Sequence, residues 1–299
     1  MRVSERMRYD VVQDRINNTK ETNANALERL STQKDVRKLS DNPIKASDII
    51  RYRDQFRSIS QFQKNIEYSK GLLEITESSL ERVTNGLVRA KELAVAMSND
   101  SNDAGSRHAT SAEIKEIIDE IVQTANSTFN GRYIFSGFRN DTPALSLDGD
   151  FLGDDGALFL QISPDDFRQV NMPGRYVFEA NQEERNQGHF NMIDSLELLY
   201  AGLVHNEKEA IHKAMSELDH QLEKATSSRA TVGGLAGSLS AALGRLEGDG
   251  LHVRNTLSKT EDADIFDASS DFRRTESMLQ ATLMSSTKLL QPSLLNFLQ

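Results

Sequence analysis

The stretch IEYSKGLLEITESSLERVTNGLVRAKELAVAM, residues 66–97, decides how this chain folds. Ile66, Leu73, Leu80, Leu87 and Ala94 recur every seven residues, and Ser69, Thr76, Val83, Ala90 and Met97 follow each of them three places later. Lines at this spacing share one face of an α-helix and form a heptad seam. Upstream, Asp41-Asn42-Pro43 supplies an N-cap and a proline suited to the first turn, so one helix is predicted from about Pro43 to Ser98. At ~1.5 Å per residue it is roughly 80 Å long. That is a rod element rather than a layer of a compact enzyme domain, whose helices run to ~8–20 residues.

Working outward, a polar loop over Asn99 to Arg107 precedes Thr110 and Glu113, a capping-box signature. The helix it opens carries Ile114, Ile117, Ile118, Ile121, Val122 and Ala125 as one stripe. Between Asn130 and Phe190 the pattern changes, with clustered Phe and Pro and turn signals at Asp148-Gly149, Asp155-Gly156 and Pro173-Gly174. Short strands are predicted at 132–136, 157–162 and 175–179. Helical spacing resumes at Met192, and Gly233-Gly234 is expected to bend a helix pair. A final seam runs through Ile265, Phe272, Leu279 and Ser286 with Ala268, Thr275, Thr282 and Leu289, and Pro292 marks its expected end. At the other end, Tyr9, Ile16, Asn23, Leu30 and Arg37 with Val12, Thr19, Ala26 and Gln33 repeat the period in diluted form. Such a seam buries too little to order itself alone, so both termini are expected to become helical only against each other and against neighbouring subunits.

Composition agrees with an elongated, solvent-rich molecule: 37% of the 299 residues are hydrophobic, 6% aromatic, and there is no Trp. The absence of Cys excludes disulfides, thiolate metal ligation and a cysteine nucleophile. The longest apolar run, Leu198 to Val204, is far short of the ~20 residues that span a bilayer, so no membrane segment is expected. The basic start Met1-Arg2-Val3-Ser4-Glu5-Arg6 lacks an apolar stretch behind it, so no cleavable signal is expected. A net charge of −10 argues against a nucleic-acid partner. The charge is uneven: residues 1–70 hold 15 Lys and Arg against 10 Asp and Glu, whereas residues 141–199 hold 3 against 12.

Catalytic patterns are missing. His205, His212 and His220 are spaced by two helical turns, too far apart to share a metal. Asp148, Asp150 and Gly153 begin like a calcium loop, but Leu152 and Phe159 stand where ligands are required. Gly233-Gly234-Leu235-Ala236-Gly237 lacks the Lys-Ser/Thr that would grip a phosphate. The basic-aromatic run at Arg51, Tyr52, Arg53, Phe56 and Arg57 is interleaved with acids and reads as a solvated helix face. No catalytic, cofactor-binding or metal-ligating residue is assigned.

Several stretches are similar to a known family. Met1-Arg2-Val3-Ser4 with Met7 and Tyr9, Leu39-Ser40-Asp41-Asn42-Pro43, Arg89-Ala90-Lys91-Glu92-Leu93-Ala94-Val95 and Asn130-Gly131-Arg132-Tyr133-Ile134-Phe135-Ser136-Gly137 resemble the flagellin superfamily. Leu257-Ser258-Lys259-Thr260-Glu261-Asp262-Ala263-Asp264 and the ending Ser293-Leu294-Leu295-Asn296-Phe297-Leu298 extend the resemblance, and the Gly131–Gly137 run and that ending point within it to the hook-filament junction proteins. One departure is Thr32-Gln33, where members of the family often carry Ser-Gly.

The resemblance implies a mainly α fold, an elongated antiparallel coiled-coil bundle made from both termini with a small β-rich domain inserted in the middle. The expected parts are a 1–40 N-terminal assembly helix, a 41–129 helical hairpin of the stalk, a 130–190 β-rich outer insertion, 191–260 returning stalk helices and a 261–299 C-terminal assembly helix. It further implies that Tyr9, Ile16, Leu27 and Leu30, with Leu279, Leu283, Leu290, Leu294, Leu295 and Phe297, form the subunit interface. The expected function is non-enzymatic: an adaptor joining hook to filament, with a flagellin-type filament subunit as the alternative. Expected partners are like subunits in a ring, the other hook-associated junction protein, flagellin and an export chaperone, outside the cell on the bacterial flagellum. No cofactor is expected.

Overall fold

The structure, a computed structural model, describes residues 2–99, 102–147 and 149–290. The chain runs through α1 (Arg2–Thr32), α2 (Pro43–Ser98), α3 (Ala104–Ala125), β1 (Thr128–Phe129) and β2 (Arg132–Tyr133). It continues through β3 (Phe159–Ser163), β4 (Asp166–Gln169), the short α4 (Arg175–Phe178) and α5 (Gln182–Asn186), then α6 (Met192–Val204), α7 (Lys208–Glu261) and α8 (Ile265–Leu290). The fold is mainly α, with long helices from both ends of the sequence and paired strands in the middle. It divides into one unit of residues 1–58 and 249–299 and another of 59–248, and α2 and α7 contribute to both.

Within the second unit, the heptad reading of residues 66–97 holds at the level of burial. Ile66, Leu73, Leu80, Leu87 and Ala94 are completely buried, and Ser69, Thr76, Val83 and Ala90 line the same seam. The hydroxyls tolerated there bond to their own helix: Thr76 Oγ1 donates to Leu72 O at 2.8 Å and Ser69 Oγ to Asn65 O at 2.7 Å. Facing apolar stripes come from Ile114 and Ile121 of α3, Leu196, Leu199 and Leu203 of α6, and Ile211, Ala214, Leu218, Ala225 and Val232 of α7. Each such side chain contributes ~1.5–3 kcal/mol on burial, which is enough to hold a helix as long as α2 where propensity alone is weak.

Arg107 closes one end of this bundle. It is 2% exposed, and its guanidinium donates to Met97 O at 3.0 Å, to Asn99 O at 2.9 Å and to Asn206 Oδ1. It therefore caps the orphan carbonyls at the end of α2 and ties them to the α6–α7 turn. This corrects the expected loop over Asn99 to Arg107. α3 begins at Ala104, because Asp103 accepts from Ser106 N at 2.8 Å and caps the helix seven residues before the Thr110–Glu113 signature.

Two other expectations fail for physical reasons. Residues 175–178 form a helical turn, not a strand: Gly174 N donates to Phe135 O, and Val177 N and Phe178 N both turn back to Gly174 O. Consecutive Val177 and Phe178 are thereby both buried, which an alternating strand cannot do. The Gly233-Gly234 pair does not break the chain either, since α7 is one helix of 54 residues through Gly233, Gly234, Gly237, Gly244 and Gly248. The buried line Val232, Leu239, Ala242 and Leu246 keeps the helix in register and offsets the ~1 kcal/mol each glycine costs.

The other two expected strands are present in part, 132–136 as β2 (Arg132–Tyr133) and 157–162 as β3 (Phe159–Ser163), and each is one arm of a hairpin. β1 and β2 are joined by Asn130 (φ 51°) and Gly131 (φ 75°), the left-handed pair that a type I′ turn requires. β3 and β4 pair antiparallel with Phe159 opposite Gln169, Leu160 opposite Arg168 and Gln161 opposite Phe167. The hairpin is braced on α2 by Asn65 Nδ2, which donates to Gln161 O at 2.8 Å.

Candidate interface of the terminal helices

In the first unit α1 and α8 pair antiparallel. Asn23 Nδ2 donates to Thr275 Oγ1 at 3.2 Å, and six residues further along α1, Arg29 Nη1 reaches Asp271 Oδ2 at 3.2 Å. The residues turned inward are those of the diluted seam: Ile16, Thr19, Asn23, Ala26 and Leu30 of α1 are half-buried, and Ala268, Thr275 and Ser286 of α8 are buried. Small and polar side chains line this seam, and an open surface groove of about 120 Å³ runs beside it among Asn18, Thr19, Thr22, Thr275 and Met278.

The segment between α1 and α2 is fastened to the α7–α8 turn by backbone pairing. Asp35 N donates to Glu261 O at 2.7 Å and Ala263 N to Gln33 O at 2.9 Å, with Lys34 bridged to Asp262. Beneath it lies a small apolar cluster of Val36, Ala46 and Ile49, with Leu257 packed on it. Glu261 is buried at the joint and accepts from Arg53 Nη2 at 2.5 Å and from Lys34 Nζ. Burial alone would raise the Glu261 pKa, but the hydrogen bonds and charges of Lys34 and Arg53 outweigh it and hold the carboxyl below its ordinary value. Asp41 is likewise lowered, because its exposed carboxylate accepts the backbone N–H groups of Lys38 and Arg37.

Gln33, at the Thr32-Gln33 departure, ends α1 in the left-handed region at φ 56°. Glycine is the usual residue for such a helix terminus because it carries no Cβ penalty.

The six interface candidates whose side chains are described fall into two groups. Ile16, Leu30 and Leu279 are half-buried in the α1–α8 seam, whereas Tyr9, Leu27 and Leu283 are 54%, 50% and 41% exposed. Met7, Val11, Met278 and Met284 are exposed with them. Leu290 ends α8, but its side chain lies outside the described residues, as do Leu294, Leu295, Phe297 and Pro292 altogether.

Sequence reasoning missed a polar cluster in the second unit. The imidazoles of His189 and His220 stack at 4.0 Å, His189 Nδ1 lies 3.3 Å from the Glu217 carboxylate, and His220 Nε2 lies 3.7 Å from Glu184. Burial works to raise the Glu184 pKa, but hydrogen bonds from Lys224 and the Asn181 backbone, with the Lys224 charge, prevail and lower it. The cluster clips the α5–α6 segment onto α7. Among the described residues no three His, Asp or Glu are placed to hold a metal ion, and no helix is long and apolar enough to cross a membrane.

Comparison with known proteins agrees with this architecture. Residues 3–140 match the bacterial flagellin N-terminal helical region. Flagellar hook-associated protein 3 of Salmonella typhimurium is 27% identical over 182 residues, 60% of this chain and 57% of that protein, so the chain spans little more than half the length of this relative. Flagellin 1 of Proteus mirabilis is 26% identical over 132 residues, 44% of this chain and 36% of that protein. A Vibrio parahaemolyticus structure provisionally described as a flagellar hook-associated protein superposes with a TM-score of 0.68 at 20% identity, covering 74% of this chain and all of that one. At that identity it speaks for the fold alone. Residues 3–140 thus resemble the flagellin N-terminal helical region, and the chain is similar to flagellar hook-associated protein 3 over 182 residues.

Proposed function

We propose that this chain is a structural adaptor of the bacterial flagellum that joins hook to filament and polymerises through coiled-coil packing of its N- and C-terminal helices. The observation that carries the reading is the α1–α8 pair, whose inner seam is small and polar while Tyr9, Leu27, Leu283 and their methionine neighbours are exposed. Apolar surface of this kind contributes ~25 cal/mol per Å² once covered, so the pair gains its full stability at a growing end, where several chains interdigitate. Tyr9, Leu27 and Leu283 then meet neighbouring subunits, Ile16, Leu30 and Leu279 hold the pair itself, and Leu290, Leu294, Leu295 and Phe297 continue the apolar line.

Subunits meeting head to tail close a ring or continue a helix. The partners in this reading are like subunits, the other hook-associated junction protein on the hook side and flagellin on the filament side, with an export chaperone before assembly. The site of action in this reading is extracellular, on the flagellum, and the role is non-enzymatic.

The test is hydrogen exchange on the purified monomer and on the same protein within isolated hook-filament structures. Rapid exchange of residues 2–32 and 265–290 when free, with protection on incorporation, is expected; equal protection in dilute monomer overturns coupled folding and assembly. Similarity to flagellins supports the second reading, a filament subunit. Seeded growth of long filaments from purified chain alone would favour that one.

A further inference from the structure

The β3–β4 hairpin of the second unit carries a surface feature that the terminal-helix reading does not use. Directly opposed residues of an antiparallel pair share a face, so Phe159, Gln161, Phe167 and Gln169 form one four-residue patch with the two rings on a diagonal. Both phenylalanines are 58% exposed. Gln161 Nε2 donates to Pro164 O at 2.7 Å and Gln169 Nε2 to Asn171 O at 2.9 Å, so each amide spends one of its two N–H donors locally and keeps an oxygen able to accept on the face that carries the two rings.

Charge points the same way. The turn that joins the strands contains Asp165 and Asp166, and the one basic residue between 159 and 169 is Arg168. Arg168 stands opposite Leu160 on the other face and holds Asp166 at 2.9 Å. The surrounding residues 141–199 carry 12 Asp and Glu against 3 Lys and Arg. Ring faces, amide oxygens and carboxylates all attract a cation, and a planar guanidinium satisfies them together by stacking on a ring while donating in its own plane. The acidic balance of the segment disfavours an anionic partner such as nucleic acid or acidic glycan.

We propose that the Phe159/Gln161/Phe167/Gln169 face is a docking surface for a basic protein segment that presents arginine side chains. Its occupant is a partner protein, recognised by stacked guanidinium groups and steered by the acidic surroundings.

The experiment is calorimetric titration of the full chain with an acetylated, amidated peptide of four Arg-Gly repeats. Lys-Gly and Glu-Gly peptides of equal length and a neutral chitotetraose serve as comparisons. The Arg peptide is expected to bind, more weakly as salt rises, with the Lys peptide several-fold weaker and the Glu peptide silent. F159S/F167S should weaken the Arg peptide by about tenfold, and F159Y/F167Y, which keeps both ring faces, should retain it. Equal binding to wild type and F159S/F167S would reduce the effect to general acidity and overturn the proposal. So would no binding of the Arg peptide at millimolar concentration, or binding of chitotetraose in its place. A change in the F159S/F167S melting temperature is controlled by the tyrosine pair, whose loss of binding with an intact fold would equally sink the idea.

Discussion

Arg53 donates through Nη2 to Glu261 Oε1 at 2.5 Å, joining the early part of α2 to the last residue of α7 across 208 positions of sequence. Lys34 reaches the same carboxylate from the segment after α1. One buried acid thus fastens three stretches of the first unit, and its charge is part of the fastening. Because the pairing holds the Glu261 pKa below the ordinary carboxyl value of 4.5, its contribution is fully present above that value and is lost as pH falls through the lowered one. Thermal melts of the wild type should drop as pH falls below about 4.5, whereas E261Q should start lower at neutral pH, by about 1–3 kcal/mol, and lose less over the same range. Parallel pH curves for the two proteins would count against the role of this ion pair.

The two groups of interface candidates should separate experimentally. Tyr9→Ser, Leu27→Ser and Leu283→Ser remove exposed apolar groups, so monomer stability should change by no more than about 0.5 kcal/mol while incorporation into flagellar structures fails. Ile16→Ala and Leu279→Ala act on the half-buried seam and should cost the isolated chain about 1–2 kcal/mol. Urea unfolding paired with a motility assay measures both; equal loss of monomer stability in the two groups would show that the exposed set is internal after all.

Arg107→Met keeps the aliphatic stem and removes the donors. Met97 O, Asn99 O and Asn206 Oδ1 then lose their partner at the closed end of the bundle. A loss of about 2–4 kcal/mol is expected, read as a lower urea midpoint with an unchanged slope. Arg107→Lys should recover part of it, because an ammonium cannot reach three acceptors in a fan.

Backbone strain gives a paired prediction. Gln33 sits at φ 56° on the surface, so Gln33→Gly should stabilise by about 1 kcal/mol. Gly137 sits at φ 67°, where a Cβ would lie 2.5 Å from Asp154 O and 2.8 Å from Gly156 N. Gly137→Ala should destabilise by more than ~2 kcal/mol. Differential scanning calorimetry of the two variants checks both signs.

The glycines of α7 offer a further contrast. A Cβ at Gly237 or Gly244 meets nothing within 4 Å, so G237A/G244A should raise monomer stability by about 1.5–2 kcal/mol through helix propensity. A lower melting temperature in the double variant would mean that α7 needs those glycines for its own geometry.

Where sequence and structure part company, the reason is local geometry that a period does not encode. Residues 175–178 are rich enough in aromatic and β-branched side chains for a strand, but Gly174 N bonded to Phe135 O starts a helical turn instead. The Asn130-Gly131 pair is a type I′ turn signal in its own right, yet among flanking strands of two residues each it has no alternation to announce it. His205, His212 and His220 were weighed only along their own helix, and the imidazole that stacks on His220 comes from His189, 31 positions away.

The sequence by itself determined the long helices, because heptad spacing at Ile66 to Ala94 and Ile265 to Ser286 specifies a buried face wherever a partner is found. It also determined that the terminal seam is weak, since Asn23, Thr19, Thr275 and Ser286 stand in core positions. Only the tertiary structure decided which partner each face takes. It turned Ile16, Leu30 and Leu279 inward and Tyr9, Leu27 and Leu283 outward, placed Glu261 between Lys34 and Arg53, and set Phe159 beside Phe167. Periodicity fixes direction about one axis, whereas these outcomes depend on the relative rotation and register of elements far apart in the chain, which no local pattern carries.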